Sequence, residues 1–444
     1  MNCFIASGWI DRQVSKYTNM QRFYTLPLLL ISSFLFSQPQ EKKKPWKTNF
    51  RINHSTLDSF ENAIRKDIAN GDIAGAAYVL YHKGTVVRLK ALGESDVQSH
   101  RALQADDYFR LASMTKPIAS LALLLLQEDG LVNMNDRLDQ YLPAFANPAV
   151  VDRIDTLQGN AVLLTHPAQK PILLRHLLTH TAGFASQYGG RLGPLYLATF
   201  ADAYANDLAN FADRLASLPL NHEPGEEWVY GPSINIAARV VEKVSGMAFQ
   251  EFLQQRIFGP MRMKDTRFFL DASMAGRLTT HYTRDENGKM RVMDPGSTAS
   301  RLISGPKVYY SGSGGLNATI EDYLKFCVMV LNNGMYEGRR IARPETIAQM
   351  KTDQVPLNIN ADLNTQPGQL TEGFTFGYQI LRKENSRTPK KQGTLSWGGA
   401  TGPVFFIDPA DQTICIYMVQ MQPYSHIQSR KDFTATMLRA IHQD

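Results

Sequence analysis

The tetrad Ser113-Met114-Thr115-Lys116 holds the residue types best suited to chemistry in this sequence. Residues three apart lie on one face of a helix, so a helix that begins here places the Lys116 amine beside the Ser113 hydroxyl. A serine hydroxyl is a weak nucleophile and needs a neighbouring base. Lysine can be that base only if burial or the positive end of a helix dipole lowers its pKa toward neutrality. We therefore expect a nucleophile and its base at the start of a buried helix.

The residues that follow this tetrad favour that geometry. Residues 113–130 are apolar nearly all round and end at Gly130, which is typical of a buried helix with a glycine cap. A second Ser-x-x-Lys copy, Ser304 to Lys307, has a Gly-Pro centre that cannot be helical, and we interpret it as a turn. No Gly-x-Ser-x-Gly sequence occurs, which argues against the α/β-hydrolase mechanism.

The elements that must position this pair are strands at both ends of the chain around a helical middle. Apolar periodicity predicts helices and strands as follows: helices over 57–70, 234–244, 320–331 and 432–442, and strands over 73–80, 86–92, 376–381, 393–397, 404–407 and 413–419. This order favours an α+β fold, an antiparallel sheet flanked by helices with an inserted all-helical domain. The sheet domain takes 51–112 and 261–444, and the mainly helical domain takes 113–260. The polar segment 354–372 is interpreted as a loop at the pocket mouth.

The N-terminus carries a 13-residue apolar run, Tyr24 to Phe36, after Arg22. A run this short after a basic residue is typical of a secretory signal peptide, with Met20 as the physical start; an uncleaved anchor is the alternative. Residues 1–37 are then a leader and 38–50 a basic tail. The sequence therefore predicts a periplasmic or secreted protein that contacts a membrane only through an uncleaved leader, if at all.

Composition and charge exclude several classes of protein. The chain has 444 residues, 43% hydrophobic and 20% charged, which is average for a globular protein and rules out disordered and multi-span membrane classes. Four cations cluster in the basic tail, so the folded body is near neutral and carries no nucleic-acid footprint. Cys327 and Cys415 could pair but are read as small core residues.

Three ordered segments resemble the serine β-lactamase-related family: Ser113 to Lys116, Leu177 to Phe184 (LLTHTAGF), and Ser311 to Leu316 followed by Glu321-Asp322-Tyr323. That family includes class C β-lactamases, penicillin-binding DD-peptidases, D-aminopeptidases and family VIII carboxylesterases. The resemblance covers roughly residues 55–440 and implies the sheet-plus-helical-domain fold predicted above. Within the second segment, His180 is interpreted as a residue that hydrogen-bonds to backbone and shapes a loop, with a catalytic role as the less favoured alternative.

The resemblance implies a third catalytic residue and an oxyanion hole. Tyr230, before the helix that ends at Gly246, falls on the family's motif tyrosine and would relay protons; near a cationic Lys116 its phenol would ionise more easily. Pro232 stands where the family's substrate-contacting asparagine is expected. The backbone N–H groups of Ser113 and Ala400 would form the oxyanion hole.

The third family motif reads Trp397-Gly398-Gly399, the form that family VIII esterases show, where β-lactamases carry Lys-Thr-Gly. The glycines would let substrate approach the strand closely, and Trp397 would offer a flat apolar wall in place of a cation. This substitution favours neutral esters over anionic β-lactams. Core filling by Trp397, and a purely structural Tyr230, are the alternatives.

Three functions stay open at this point. The favoured one is a serine hydrolase that cleaves small-molecule esters, or amides of peptide-like substrates, through an acyl-enzyme on Ser113 with Lys116 and Tyr230 as base. The second is a β-lactamase or D-amino-acid peptidase that acts on cell-wall-type substrates, and the third is a catalytically silent binding member of the same fold. None of these implies a metal or organic cofactor. Substrate and oligomeric state cannot be predicted.

Overall fold

The computed structural model describes residues 51–157, 160–359, 371–384 and 390–441. The predicted leader and basic tail, and most of the predicted loop 354–372, lie outside these ranges. The α-helices of the described residues are α1 His54–Ala69, α2 Lys116–Glu128, α3 Leu174–Leu178, α4 Gly193–Thr199, α5 Leu208–Ala216, α6 Ser233–Ser245, α7 Phe249–Leu253, α8 Arg301–Ser304, α9 Ile320–Leu331, α10 Pro344–Lys351 and α11 Gln428–Ile441. Short 3-10 helices lie at Ala112–Thr115, Leu138–Gln140, Pro143–Phe145, Ala203–Ala205 and Ala272–Arg277, and a π-helical turn lies at Gln254–Phe258.

The strands of the described residues are β1 Gly75–His82, β2 Thr85–Asp96, β3 Arg101–Ala102, β4 Phe109–Arg110, β5 Ala149–Leu157, β6 Asn160–Pro167, β7 Thr266–Arg267, β8 His281–Arg284, β9 Met290–Asp294, β10 Asn317–Ala318, β11 Met335–Tyr336, β12 Arg339–Arg340, β13 Glu372–Phe374, β14 Gln379–Leu381, β15 Leu395–Gly398, β16 Val404–Asp408 and β17 Thr413–Val419. The main sheet has eight strands in the order β13-β14-β15-β16-β17-β1-β2-β3. Its neighbours all pair antiparallel, so the predicted antiparallel sheet built from both ends of the chain is confirmed.

Alternating residues of β1 and β17 build a core on each face of this sheet. Tyr78 of β1 and Tyr417 of β17 pair directly and pack on α1 and α11. Val79 and Ile416, one residue along, belong to the larger core on the opposite face, which includes the all-apolar part of α2. Because successive residues point to opposite faces and both faces are covered by a core, both strands are apolar over most of their length. The sheet therefore has helices on both faces, as the α+β prediction requires.

The segment 113–260, predicted to be mainly helical, also contains an antiparallel hairpin formed by β5 and β6. The division into a sheet domain and an inserted domain stays a prediction. The buried Cys327 and Cys415 are free thiols, and burial raises the pKa of each. In the ranges that the structure describes, no helix has both the length and the apolar character needed to cross a membrane.

Candidate active site

Ser113 lies in a short 3-10 turn, Ala112–Thr115, and the α-helix begins only at Lys116. The prediction of an α-helix from Ser113 onward is therefore wrong at its first turn. Ala112 has a positive φ of 46°, a conformation that is unfavourable for alanine, at the point where the chain enters the turn. Side chains at i and i+3 eclipse in a 3-10 turn, which brings Ser113 and Lys116 together as directly as a helix would. Lys116 Nζ lies 3.2 Å from Ser113 Oγ.

The Lys116 side chain is buried, with only 3% of the residue exposed. Its ammonium group also donates to the carbonyl oxygen of Ser313 at 2.8 Å, and both of these partners are uncharged oxygens. Burial without a compensating anion destabilises the charged form and lowers the pKa of Lys116 to about 7. A large share of the molecules therefore carry an uncharged amine at neutral pH, and an uncharged amine is what a general base requires.

Tyr230 lies in the loop before α6 and donates a hydrogen bond from its hydroxyl to Ser113 Oγ at 2.6 Å. Its ring lies 4.6 Å from Lys116 Nζ. Burial raises the pKa of Tyr230 to about 12, and the neighbouring Ser113 and Trp397 offset only part of that rise. The surroundings therefore raise the pKa of Tyr230, and the expectation that Lys116 makes this phenol easier to ionise is wrong. Lys116 is the group closer to its titration point, and Tyr230 is a protonated donor.

Asn235, which the sequence analysis did not single out, holds the strap that carries the Lys116 acceptor. We use the name strap for residues 311–315. Asn235 Oδ1 accepts hydrogen bonds from the Ser313 backbone N–H and the Ser311 hydroxyl, both at 2.9 Å, and its amide nitrogen donates to the Tyr309 hydroxyl. The motif asparagine is absent at Pro232, but Asn235 supplies an amide one turn into α6.

His180 was expected to hydrogen-bond to backbone through its side chain, and this is wrong: neither ring nitrogen has a hydrogen-bond partner among the described residues. Its backbone carbonyl instead accepts from Val229 N–H at 3.0 Å, and its φ is 57°. The ring packs against Tyr230, with the centroids 4.8 Å apart. Burial, together with the charge of Lys116, lowers the pKa of His180, so a neutral imidazole fills the space behind the Tyr230 ring.

Trp397 lies one residue before the end of β15, and its ring centroid lies 5.4 Å from that of Tyr230. The glycines after it lie close to the protein's own backbone, and the approach of substrate to them stays a prediction. A Cβ atom on Gly399 would lie 2.5 Å from the Leu111 carbonyl oxygen, so this glycine makes room for the protein's own backbone just before the turn Ala112–Thr115. Gly398 is similarly close to the Pro403 carbonyl oxygen, at 3.1 Å for such a Cβ.

Ala400 follows in a turn that is tied to the same entry segment. The next residue, Thr401, donates from its hydroxyl to the Arg110 carbonyl at 2.9 Å, and Gln420 donates to the same oxygen at 3.1 Å. The end of β15 is thereby held against the backbone that leads into Ser113. The pairing of the Ser113 and Ala400 N–H groups as an oxyanion hole stays a prediction.

The structure thus places Lys116 Nζ and the Tyr230 hydroxyl within hydrogen-bond distance of one atom, Ser113 Oγ. Trp397 packs against the Tyr230 ring. The second Ser-x-x-Lys copy has no such geometry, because Lys307 Nζ donates to the Leu270 carbonyl at 2.9 Å and Ser304 Oγ donates to the Ser300 carbonyl at 3.1 Å. Among the described residues no cluster of histidine, cysteine and acidic side chains could hold a metal ion.

Comparison with known proteins identifies the family of this site. The family model described as Beta-lactamase matches residues 60–435. The chain belongs to the beta-lactamase family. It is 29% identical over 378 residues to a lovastatin esterase of Penicillium rubens, which covers 79% of this chain and 88% of the relative. It is 28% identical over 370 residues to esterase EstB of Burkholderia gladioli, with 79% and 86% coverage.

A solved structure agrees with the fold. Unliganded simvastatin synthase (LovD) from Aspergillus terreus superimposes with a TM-score of 0.74 at 24% identity, over 88% of this chain and 99% of that one. This beta-lactamase-family chain therefore has the β-lactamase/transpeptidase-like fold that the sequence resemblance implied. Its curated relatives include esterases, and the chain is a hydrolase of this family. The esterase relatives also confirm the resemblance to family VIII carboxylesterases.

Proposed function

We propose that the protein is a serine esterase that cleaves small neutral carboxylic esters through an acyl-enzyme on Ser113. One observation carries this proposal: Ser113 Oγ lies 2.6 Å from the Tyr230 hydroxyl and 3.2 Å from Lys116 Nζ. A hydroxyl with a near-neutral amine on one side and a phenol on the other has both a proton acceptor and a proton donor in reach. The esterases among the relatives support ester bonds as the target.

Acylation starts with attack by Ser113 Oγ on the ester carbonyl carbon while its proton passes to the uncharged Lys116 Nζ. The N–H groups of Ser113 and Ala400 stabilise the negative charge on the carbonyl oxygen. The bond between the carbonyl carbon and the alcohol oxygen then breaks, and Tyr230 donates its proton to that oxygen. Lys116 in turn returns a proton to Tyr230. A water molecule reverses these steps in deacylation: it adds to the acyl carbon, loses a proton to the same pair, and releases the acid as Ser113 regains its proton.

Trp397 and Pro232 support a neutral ester over an anionic substrate. Trp397 stands at the family position where a lysine would bind a carboxylate, and it is packed into an aromatic cluster with Tyr230 and Phe374. Pro232 has no side-chain amide to bind a substrate amide. Both substitutions remove polar recognition that a β-lactam or a peptide would use.

The test compares a p-nitrophenyl ester with a chromogenic cephalosporin and adds labelling by a fluorophosphonate, read by intact mass. Wild type and Ser304→Ala, the matched serine of the second Ser-x-x-Lys copy, should turn over the ester and take one label, whereas Ser113→Ala should do neither. Faster cephalosporin turnover than ester turnover would favour the β-lactamase alternative. A wild type that neither turns over the ester nor takes the label would contradict the proposal and favour a binding protein.

We also propose a periplasmic or extracellular location, which the short apolar run Tyr24 to Phe36 supports. Expression of the full chain followed by cell fractionation and N-terminal sequencing tests it. A mature N-terminus shortly after this run, in the periplasmic or secreted fraction, is the expected result. An intact leader on protein in the cytoplasm would contradict it.

A further inference from the structure

Tyr188 is an aromatic residue that lies open to solvent beside the proposed proton donor. It is 71% exposed, and its ring stacks on that of Tyr230 with centroids 6.4 Å apart and planes within 16°. Although the ring is exposed, crowding around the hydroxyl desolvates it and raises its pKa, and the phenols of Tyr230 and Tyr204 raise it further. The Tyr188 ring thus extends the aromatic surface of Tyr230 toward solvent.

Tyr204, which is 57% exposed, is a second tyrosine near enough to Tyr188 to raise its pKa. Its ring meets the edge of Tyr309 at 6.1 Å, and the Arg301 guanidinium lies 4.1 Å over its face and donates to its hydroxyl at 3.3 Å. Tyr309 is itself buried and held by Asn235, the residue that fixes the strap under Lys116. Tyr188 thus stacks on the proposed proton donor, and Tyr204 is connected to the strap through Tyr309 and Asn235. We call these two exposed rings, Tyr188 and Tyr204, the aromatic shelf.

The proposed reaction decides which part of an ester lies on this shelf. Tyr230 must deliver its proton to the oxygen of the departing alcohol, so that oxygen has to come within hydrogen-bond distance of the Tyr230 hydroxyl. Two of the described rings stack on Tyr230, those of Trp228 and Tyr188, and Tyr188 is the exposed one. The groups attached to the alcohol oxygen then pass Tyr188 as they extend toward solvent. The exposed face of Tyr188 is apolar, and the Arg301 guanidinium is engaged with the Tyr204 ring. A ring-bearing, uncharged group fits such a surface by stacking.

We propose that the aromatic shelf is the alcohol subsite of the enzyme and selects esters of bulky, apolar, ring-containing alcohols. This inference rests on the proposed function, because it takes Tyr230 as the proton donor to the leaving alcohol. It also fits the exposure of the shelf: both rings face solvent, so the alcohol can extend outward from the half-buried Ser113 without a fixed limit on its length.

The experiment compares kcat/KM for benzyl acetate with kcat/KM for methyl acetate, which share an acyl group and differ in the alcohol. Tyr188→Ser should lower the benzyl-to-methyl ratio about tenfold, while Tyr188→Phe, which keeps the ring, should keep the ratio. The matched control is Leu131→Ser, an exposed apolar residue just past the far end of α2, roughly 20 Å along the helix from Ser113. It should leave the ratio unchanged.

A second ratio separates the alcohol side from the acyl side. The ratio of methyl butyrate to methyl acetate should be the same in wild type and Tyr188→Ser. A fall in this acyl ratio, or an unchanged benzyl-to-methyl ratio, would overturn the assignment of the shelf to the alcohol.

A binding measurement keeps this inference separate from the proposed function. Benzyl alcohol is titrated into Ser113→Ala and into Ser113→Ala/Tyr188→Ser, and binding is followed by ligand-observed NMR, which requires no turnover. Weaker binding to the double variant supports the shelf even if no ester is cleaved. Equal binding to both variants contradicts the shelf, whereas loss of esterase activity and of fluorophosphonate labelling in wild type contradicts only the proposed function.

Discussion

Replacement of Lys116 by methionine should destroy activity and at the same time change how stability depends on pH. The buried amine has its pKa lowered from 10.5 to about 7, which corresponds to about 5 kcal/mol of preference for the uncharged form in the folded protein. In the unfolded chain the same amine is protonated up to about pH 10. The unfolded state therefore binds more protons than the folded state between these two values.

The sign follows from this proton balance. Because the unfolded state holds the extra proton, the free energy of unfolding of the wild type rises with pH between about 7 and 10.5, by up to about 1.4 kcal/mol per pH unit from this group alone. Below pH 7 the full penalty of about 5 kcal/mol is present, since folding then requires either an expensive buried charge or loss of the proton. Lys116→Met removes this contribution and keeps a side chain of similar length.

At pH 7 the lysine lowers stability by about 4 kcal/mol, and its removal leaves the Ser313 carbonyl without its donor, which costs about 1–3 kcal/mol. Lys116→Met should therefore be about 1–3 kcal/mol more stable than wild type at pH 7, and this advantage should disappear by about pH 9. Urea unfolding of both proteins at pH 6, 7, 8 and 9 measures it. A difference between the two proteins that stays constant over this range would refute the lowered pKa of Lys116.

Four further predictions concern the same site. The kcat/KM for a neutral ester should fall about tenfold per pH unit below about pH 7 and level off above it, because Lys116 must be uncharged; a flat profile from pH 5 to 9 would contradict this. Tyr230→Phe should lower kcat about 10²- to 10³-fold with an unchanged urea midpoint, since the proton donor is lost and the ring packing is kept. Asn235→Asp keeps the acceptor for the strap but adds a negative charge, so the midpoint of that pH profile should move upward, whereas an unmoved midpoint argues against the link. Gly399→Ala should lower the free energy of unfolding by about 1–3 kcal/mol through its clash with backbone, while Gly276→Ala, which has open space, should not.

The close approach of Ser113 and Lys116 was predictable from the sequence because their geometry is local. Ser113 and Lys116 are three residues apart, and an α-helix or a 3-10 turn brings their side chains to the same side. The sequence could not distinguish the two conformations, since the 3-10 turn follows from a positive φ at Ala112, and nothing in an alanine indicates that conformation. The apolar run after Lys116 did predict the burial that lowers the lysine pKa.

Tyr230 could be proposed only through resemblance. It lies over a hundred positions from Ser113 in the sequence, and no periodicity connects the two residues. The sheet was predicted well because β1 and β17 carry continuous apolar runs, whereas the β5–β6 hairpin was missed although Val150, Val151, Val162 and Leu163 offered a strand signal. Many residues of that hairpin are exposed, so its strands lack the continuous apolar runs that predicted β1 and β17.

His180 and Asn235 show where reasoning from single residue types fails. A histidine in the segment LLTHTAGF suggests a hydrogen-bonded residue that shapes a loop, but here the ring is neutral and packs behind Tyr230, a role decided by burial that only the folded chain reveals. Asn235 lies three residues beyond Pro232, the position where the resemblance places an asparagine, so the motif does not mark it.

The two asparagine positions are not equivalent, and the difference bears on function. An asparagine two residues after Tyr230 would belong to the loop and could face substrate, while Asn235 lies inside α6 with all its hydrogen bonds turned to Tyr309 and the strap. The chain thus lacks the amide that would read a peptide bond and keeps one that fixes the oxygen acceptor of Lys116. In such a site the polar side chains support the base and aromatic rings line the approach. The choice of substrate then depends on the substrate's shape and on its stacking against these rings. Such a site is suited to esters, because an ester offers no N–H that would need a partner.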